Sequence, residues 1–332
     1  MRYVQHHSGL LQLHLPPEGA VMNLTVVQSG LSADDMRIVS ATVLPRSMAG
    51  IKREFGFQAL LTPEGYSPKT DKGRARGYST AIMYFAPANL SGYNVCQYRS
   101  HGCTAACLNT AGHGGMALDV NGLNAVQRAR IARTRLFFLN RFLWNELLVR
   151  EVSRFIARAV KKGRVPCIRL NGTSDLPWET LRLNDGRTIL ETFPTVQFYD
   201  YTKHAGRALS NAAGLHPANY ALTFSRSETN ELDCESVLSA GGNVTAVLKF
   251  CACKRTCKHE TPSGLSYFGR PVVSGDHDDL RFLDPTGVVI GLKAKGRART
   301  DTSGFVVDTY SDACSSTDPS VACTTPHIAR AA

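Results

Sequence analysis

The sequence predicts an α/β domain whose mostly parallel sheet forms a partial or irregular (β/α) barrel of the TIM-like kind, behind an N-terminal extension. Three observations carry this. Short apolar runs recur along the chain, each ending in polar residues, as strands buried on both faces do. Residues 124–162 lack proline and glycine and place Leu136, Leu139, Leu143, Leu147 and Leu148 at helical spacing. The connections after some runs are too short for a full helix, which argues for an irregular barrel rather than an ideal eightfold one.

Taken in order, residues 1–56 read as an extension, with apolar stretches at 20–27 and 36–43 suited to a strand and a helix. Residues 57–308 read as the α/β domain. Its start, TPEGYSPKTDKGRARG at 62–77, is rich in glycine, proline and charge and reads as a loop. The first barrel strand is STAIMYF at 79–85, followed by a glycine- and cysteine-bearing loop at 86–115. The helical stretch comes next, as one long helix or two with a break near 140–145. Its other face carries Arg128, Arg130, Arg133, Arg135, Arg141, Arg150, Arg154, Arg158 and Lys161, a stripe expected to be solvated.

Strands follow at 165–170, 196–199, 220–224, 244–250, 270–273 and 288–292. In parallel sheets ligands sit at the carboxyl ends of the strands. The polar tails after these runs are therefore expected to converge on one mouth. They contribute Asn171, Ser174, Asp175, Asp200, Lys203, Ser225, Glu228, Asp276, Asp279, Lys293 and Lys295 as candidate cofactor- or substrate-binding residues. Residues 309–332 are Ser/Thr-rich and read as a flexible tail.

Of the 332 residues, 43% are hydrophobic and 20% charged, which excludes wholesale disorder. No stretch reaches the roughly 18 consecutive apolar residues of a membrane span. The N-terminus shows no small-residue cleavage site, so a cytoplasmic protein is expected. A net charge of +11 points to a polyanionic partner, nucleic acid or a nucleotide. Oligomeric state is not readable from the sequence.

Ten cysteines in a cytosolic chain suggest metal rather than disulfides. In NVCQYRSHGCTAACLNTAGHGG the thiols of Cys96, Cys103 and Cys107 are spaced C-x6-C-x3-C, directly after the first barrel strand. Three thiolates on a glycine-bearing loop suit a [4Fe–4S] cluster with one open iron. Tetrahedral zinc is the alternative, with His101 or His113 as fourth ligand. Cys251, Cys253, Cys257 and His259 offer a second set, suited to zinc or an auxiliary cluster. The carboxylates at 276–279, with Asp284, suit a hard cation such as Mg²⁺ or Mn²⁺ or acid–base work. The run KAKGRAR at 293–299 suits phosphate contacts.

A three-thiol loop after the first strand of a parallel barrel resembles the radical S-adenosylmethionine enzymes, although their common spacing is C-x3-C-x2-C. That resemblance implies a cluster on the three cysteines and S-adenosylmethionine on its open iron. Over residues 57–308 the chain also resembles the bacteriophage family known as gene product 88. The resemblance rests on GYSTAIMYFAPANLSGYNVC, GCTAACLNTAGHGG, RLNGTSDLPWE, FPTVQFYDYTK, NYALTFSRSETN, GRPVVSGDHDDLRFLDPTGVVIGLKAKG and DTSGFVVD. It implies a phage or prophage origin, and hence the host cytoplasm, without assigning a reaction. CACKRTCKH and the first fifty residues depart from the family pattern.

The leading expectation is a phage-encoded iron–sulfur enzyme of radical S-adenosylmethionine type acting on a nucleotide or nucleic acid. Its rivals are a zinc-stabilised nucleic-acid-binding protein serving replication and a Mg²⁺- or Mn²⁺-dependent hydrolase.

Overall fold

A computed structural model describes residues 31–66, 68–249 and 264–309. The expectations for 20–27, for Cys251, Cys253, Cys257 and His259, and for the tail from 310 onward fall outside the described residues.

Helix α1 (Ala33–Ser40) opens with a capping box: the Ser32 hydroxyl accepts the Asp35 N–H, and the Asp35 carboxylate accepts the Ser32 N–H, both at 3.2 Å. Helix α2 (Met48–Phe55) ends at Gly56 in the left-handed conformation. Strand β1 (Leu61–Pro63) follows. The stretch read as a loop then holds α3 (Pro68–Asp71) and a 3₁₀ turn at 72–76. After β2 (Tyr78–Met83) the cysteine-bearing loop contains α4 (His101–Ala105).

The helical stretch is two helices, α5 (Ala125–Leu139) and α6 (Arg141–Lys161), and the break falls on Asn140. Asn140 leaves the helical region at φ −142°, and its side-chain oxygen accepts the Leu143 N–H. Its amide donates to the carbonyls of Ile38 and Ala41, so the same residue ties α1 to the joint.

The remaining elements are β3 (Val165–Arg169), α7 (Ile189–Thr192), β4 (Gln197–Thr202), α8 (Ala205–Ala212), β5 (Tyr220–Ser225), α9 (Glu231–Ser239) and β6 (Val244–Lys249). After them come β7 (Ser266–Tyr267), β8 (Arg270–Ser274), β9 (Val289–Lys293) and β10 (Val306–Asp308). The sheet runs in the order β1-β2-β3-β4-β5-β6-β9-β8-β7, with β10 on β6. All pairings from β2 through β9 to β8 are parallel, as is β10 on β6, and only the edge strands β1 and β7 pair antiparallel.

The mostly parallel sheet is as expected, and among the described residues it is not closed: β1 pairs with β2 alone and β7 with β8 alone. Residues after β8 cross one face, where Leu280 and Phe282 pack on Cys167, Tyr199 and Tyr78. The other face packs on α5 and α6, through Trp144, Phe137 and Leu148 against Met83, Ile168 and Phe198. Phe85 joins this core with its ring centroid 5.2 Å from that of Trp144 and 5.3 Å from that of Phe137.

The arginine stripe is not uniformly solvated. Arg130 is buried and donates to the Asn109 carbonyl, Arg133 donates to the Ala59 carbonyl, and Arg150 donates to the Pro45 carbonyl. A guanidinium satisfies several carbonyls at once, so these arginines fasten loops to the helices, while Arg154 and Arg158 remain exposed. No helix among the described residues is long and apolar enough to cross a membrane.

Candidate cofactor and substrate cavity

The loops at the carboxyl ends of the parallel strands enclose a cavity of about 1360 Å³, counting its open mouth. Cys96, Cys103 and Cys107 all line it.

Hydrogen bonds hold the thiol loop in place. The Ser100 hydroxyl caps α4 by accepting the Cys103 N–H at 3.1 Å. Glu228, in the loop after β5, accepts from the Ser100 hydroxyl and from the Gly102 N–H, both at 2.7 Å. Burial raises the Glu228 carboxyl, but these two donors outweigh it and the net shift is downward. Past Cys107, Asn109 is gripped by Gln127 and Arg130 of α5. On the opposite wall Cys96 Sγ lies 3.7 Å from the Thr173 carbonyl.

Burial pushes the Cys96 thiol up to about 12, with Cys107 and Cys103 adding to the rise. Burial raises Cys103 and Cys107 as well, partly countered by Lys203. Cys103 and Cys107 both lie close enough to Cys96 to raise its thiol. Among the described residues, however, no group of three or more His, Cys, Asp or Glu side chains is arranged to hold a metal ion. His101 and His113 are both exposed.

Beside the thiols, Asp175 accepts the Lys203 N–H at 2.8 Å and an Arg207 N–H at 2.6 Å. Lys203 Nζ lies 2.6 Å from the Ser225 hydroxyl. Asn171 and Ser174 line the same wall, with the Ser174 hydroxyl donating to Asn171 Oδ1 at 2.7 Å. Across the cavity Asp276 accepts from Lys295 Nζ at 2.6 Å and from the Lys293 N–H at 2.8 Å. Asp279 pairs with Arg169 at 3.2 Å, and Asp278 pairs with Arg76 at 3.0 Å. Asp284 lies 3.2 Å from Arg281. Each carboxylate of this run thus already has a cation, which weakens the expectation that they gather around Mg²⁺ or Mn²⁺.

The cavity therefore gathers Asn171, Ser174, Asp175, Lys203, Ser225, Asp276, Asp279, Lys293 and Lys295 with the three thiols. Two expected residues lie elsewhere. Asp200 is fully buried on the helix face, accepting the Asn171 N–H at 2.6 Å and the Tyr220 hydroxyl at 3.1 Å. Strand β4 runs on to Thr202, and alternation along it turns Asp200 away from the mouth. Glu228 braces the thiol loop and does not line the cavity.

The sequence reading missed Lys69, Arg99, Arg169, Tyr201 and Phe305, which also line the cavity. Period-two alternation was the available signal for both: Arg169 sits inside a run read as apolar, and Tyr201 sits two residues past the run at 196–199, within a strand that continues to Thr202. Burial pushes Lys69 down to about 8, with Arg169 and Lys295 adding to the effect and Asp279 opposing it.

No curated protein and no solved structure matches the chain, so the likeness to radical S-adenosylmethionine enzymes has no support from known relatives. A family model described as Gene product 88 matches residues 59–309, from just before β1 to just after β10. Every residue assigned above to the cavity lies within that span, and the chain belongs to the bacteriophage gene product 88 family.

Proposed function

We propose that the chain is an iron–sulfur enzyme that binds S-adenosylmethionine in the cavity beside the three-thiol loop. The observation that carries this reading is that Cys96, Cys103 and Cys107 line one cavity at the carboxyl ends of a parallel sheet. The donor chemistry fits. Three sulfurs without an adjoining imidazole suit an iron–sulfur cluster. A lone zinc ion needs four donors, so it would require a fourth ligand beyond these three thiols, and His101 and His113 are exposed.

Cys96, Cys103 and Cys107 would hold the cluster. When bound, it supplies single-electron reduction of S-adenosylmethionine. The chain's own residues bind and orient. Asp175 and Lys203 lie close enough to the thiols to shift their titration. Lys203 offers a positive charge to the carboxylate of an amino acid, while Asp175 is held by Arg207 at 2.6 Å. Glu228 and Ser100 keep the thiol loop against the sheet.

The test is anaerobic purification after iron and sulfide loading. Brown protein with visible cluster absorption and an electron paramagnetic resonance signal on reduction is expected, both lost in Cys96→Ala, Cys103→Ala and Cys107→Ala. A colourless preparation holding one zinc per chain would defeat the reading.

A further inference from the structure

The pentapeptide K-G-R-A-R occurs twice, as Lys72-Gly73-Arg74-Ala75-Arg76 and as Lys295-Gly296-Arg297-Ala298-Arg299. The two copies lie more than two hundred residues apart, yet both form 3₁₀ turns and both end at one aspartate. Lys72 donates to the Asp276 main-chain oxygen, and Lys295 donates to its carboxylate at 2.6 Å. Lys72, Asp276, Lys295 and Ala298 all line the cavity, so the paired turns form part of its rim.

The two copies are used differently. In the first, Arg74 pairs with Asp71 at 2.6 Å and Arg76 with Asp278 at 3.0 Å. In the second, Ala298 is buried against Ala106 and Phe305, anchoring the turn to the thiol loop. The arginines on either side of it, Arg297 and Arg299, are exposed and form no ion pair among the described residues. Two arginines held at the surface by an anchored turn, outside the cavity but at its edge, lie out of line with a small ligand enclosed in it. They are placed for a ligand whose charge continues out of the mouth.

We propose that the turn carrying Arg297 and Arg299 grips the phosphodiester backbone of a single-stranded nucleic acid at the rim and feeds one nucleotide into the cavity. The proposal rests on reading the cavity as an active site and specifies its substrate class. The chain's +11 charge supplies the long-range attraction. A recessed cavity admits a base only from a single strand or after extrusion from a duplex.

The experiment measures fluorescence anisotropy of a labelled oligothymidylate of about 12 nucleotides with the full chain, as purified and after chelation of metal. Binding is expected in both preparations, so loss of the cluster would count against the proposed cofactor without touching this proposal. Arg297→Ala/Arg299→Ala is expected to weaken binding about tenfold and to lower the salt slope by roughly 1.4, since each lost contact to a single strand removes ~0.7. Circular dichroism checks that this variant folds. The control is Arg154→Ala/Arg158→Ala, which removes equal charge from α6. That helix ends just before β3 begins, at the other end of the strands, so unchanged affinity is expected. Equal weakening by the control, no binding of the oligomer, or competition by thymidine monophosphate as strong as by the oligomer would each overturn the proposal.

Discussion

Gly102 shows how little tolerance the thiol loop has. A Cβ there would sit 2.2 Å from the Ser303 hydroxyl, 2.7 Å from Phe305 Cβ and 2.9 Å from a Glu228 carboxylate oxygen. Gly102→Ala must push α4 away from the loops after β5 and before β10, and overpacking of this kind costs about 1–3 kcal/mol. Reduced thermal stability together with weaker metal uptake is the expected outcome, and full uptake would show that the loop adapts. Asp200 gives a sharper test through pH. Burial pushes its carboxyl up to about 7, against the lowering effect of the Asn171 N–H, Arg169 and Tyr220. The fold thus prefers the neutral form. Its contribution to stability is complete below the ordinary aspartate value of about 3.9 and drains away as pH rises toward 7. Asp200→Asn keeps the shape without the charge. Chemical denaturation should therefore show a flatter stability curve between about pH 4 and 7, and an undiminished slope would assign that pH dependence to other groups.

The joint between α5 and α6 rests on Asn140, which ends one helix, caps the next and holds two carbonyls of the α1 region. Asn140→Ala is expected to cost about 2 kcal/mol, the upper range for loss of a helix cap. A loss below ~0.5 kcal/mol would mean that water replaces all three bonds. A break near 140–145 was legible because asparagine side chains compete for backbone hydrogen bonds and favour caps; Asn140 does so, whereas Asn145 stays within α6 and donates to Asn184. The parallel strands were legible because continuous apolar runs bounded by polar residues leave few alternatives. The short strands β1, β7 and β10, two or three residues long, carry no period to detect. Asp200 was misread because the run before it ends at Tyr199, whereas the strand continues and its alternation decides the facing. The buried arginines were misread because one face of a helix looks solvated until the loops that its guanidiniums hold are known.

At the scale of the whole molecule, closure was the feature that the sequence could not specify, because it depends on pairing between the first and last strands rather than on any local pattern. The open side is spanned by side chains. Lys72 and Arg76, before β2, reach Asp276 and Asp278, after β8, and Arg169 at the end of β3 reaches Asp279. These links differ in burial. Arg169 and Asp279 are 7% and 10% exposed, whereas Arg76 is 50% exposed. Burial raises the Asp279 carboxyl, yet Arg169, Lys69 and Arg281 outweigh it and the net shift is downward. A depressed carboxyl adds stability above the unfolded-state value and loses it as pH falls, so this link weakens in acid. Removing one partner of a buried pair leaves an uncompensated charge and costs ~3–5 kcal/mol, against ~0–1 kcal/mol for an exposed pair. Asp279→Ala should therefore destabilise the fold far more than Arg76→Ala. Arg169→Met/Asp279→Leu, which removes both charges, should recover much of the loss. Hydrogen exchange in Asp279→Ala should quicken first in β8 and β9, the strands whose tie across the open side has been cut. Equal costs for the buried and exposed links, or exchange that quickens uniformly along the sheet, would mean that the gap is held by the apolar packing of Leu280 and Phe282 instead.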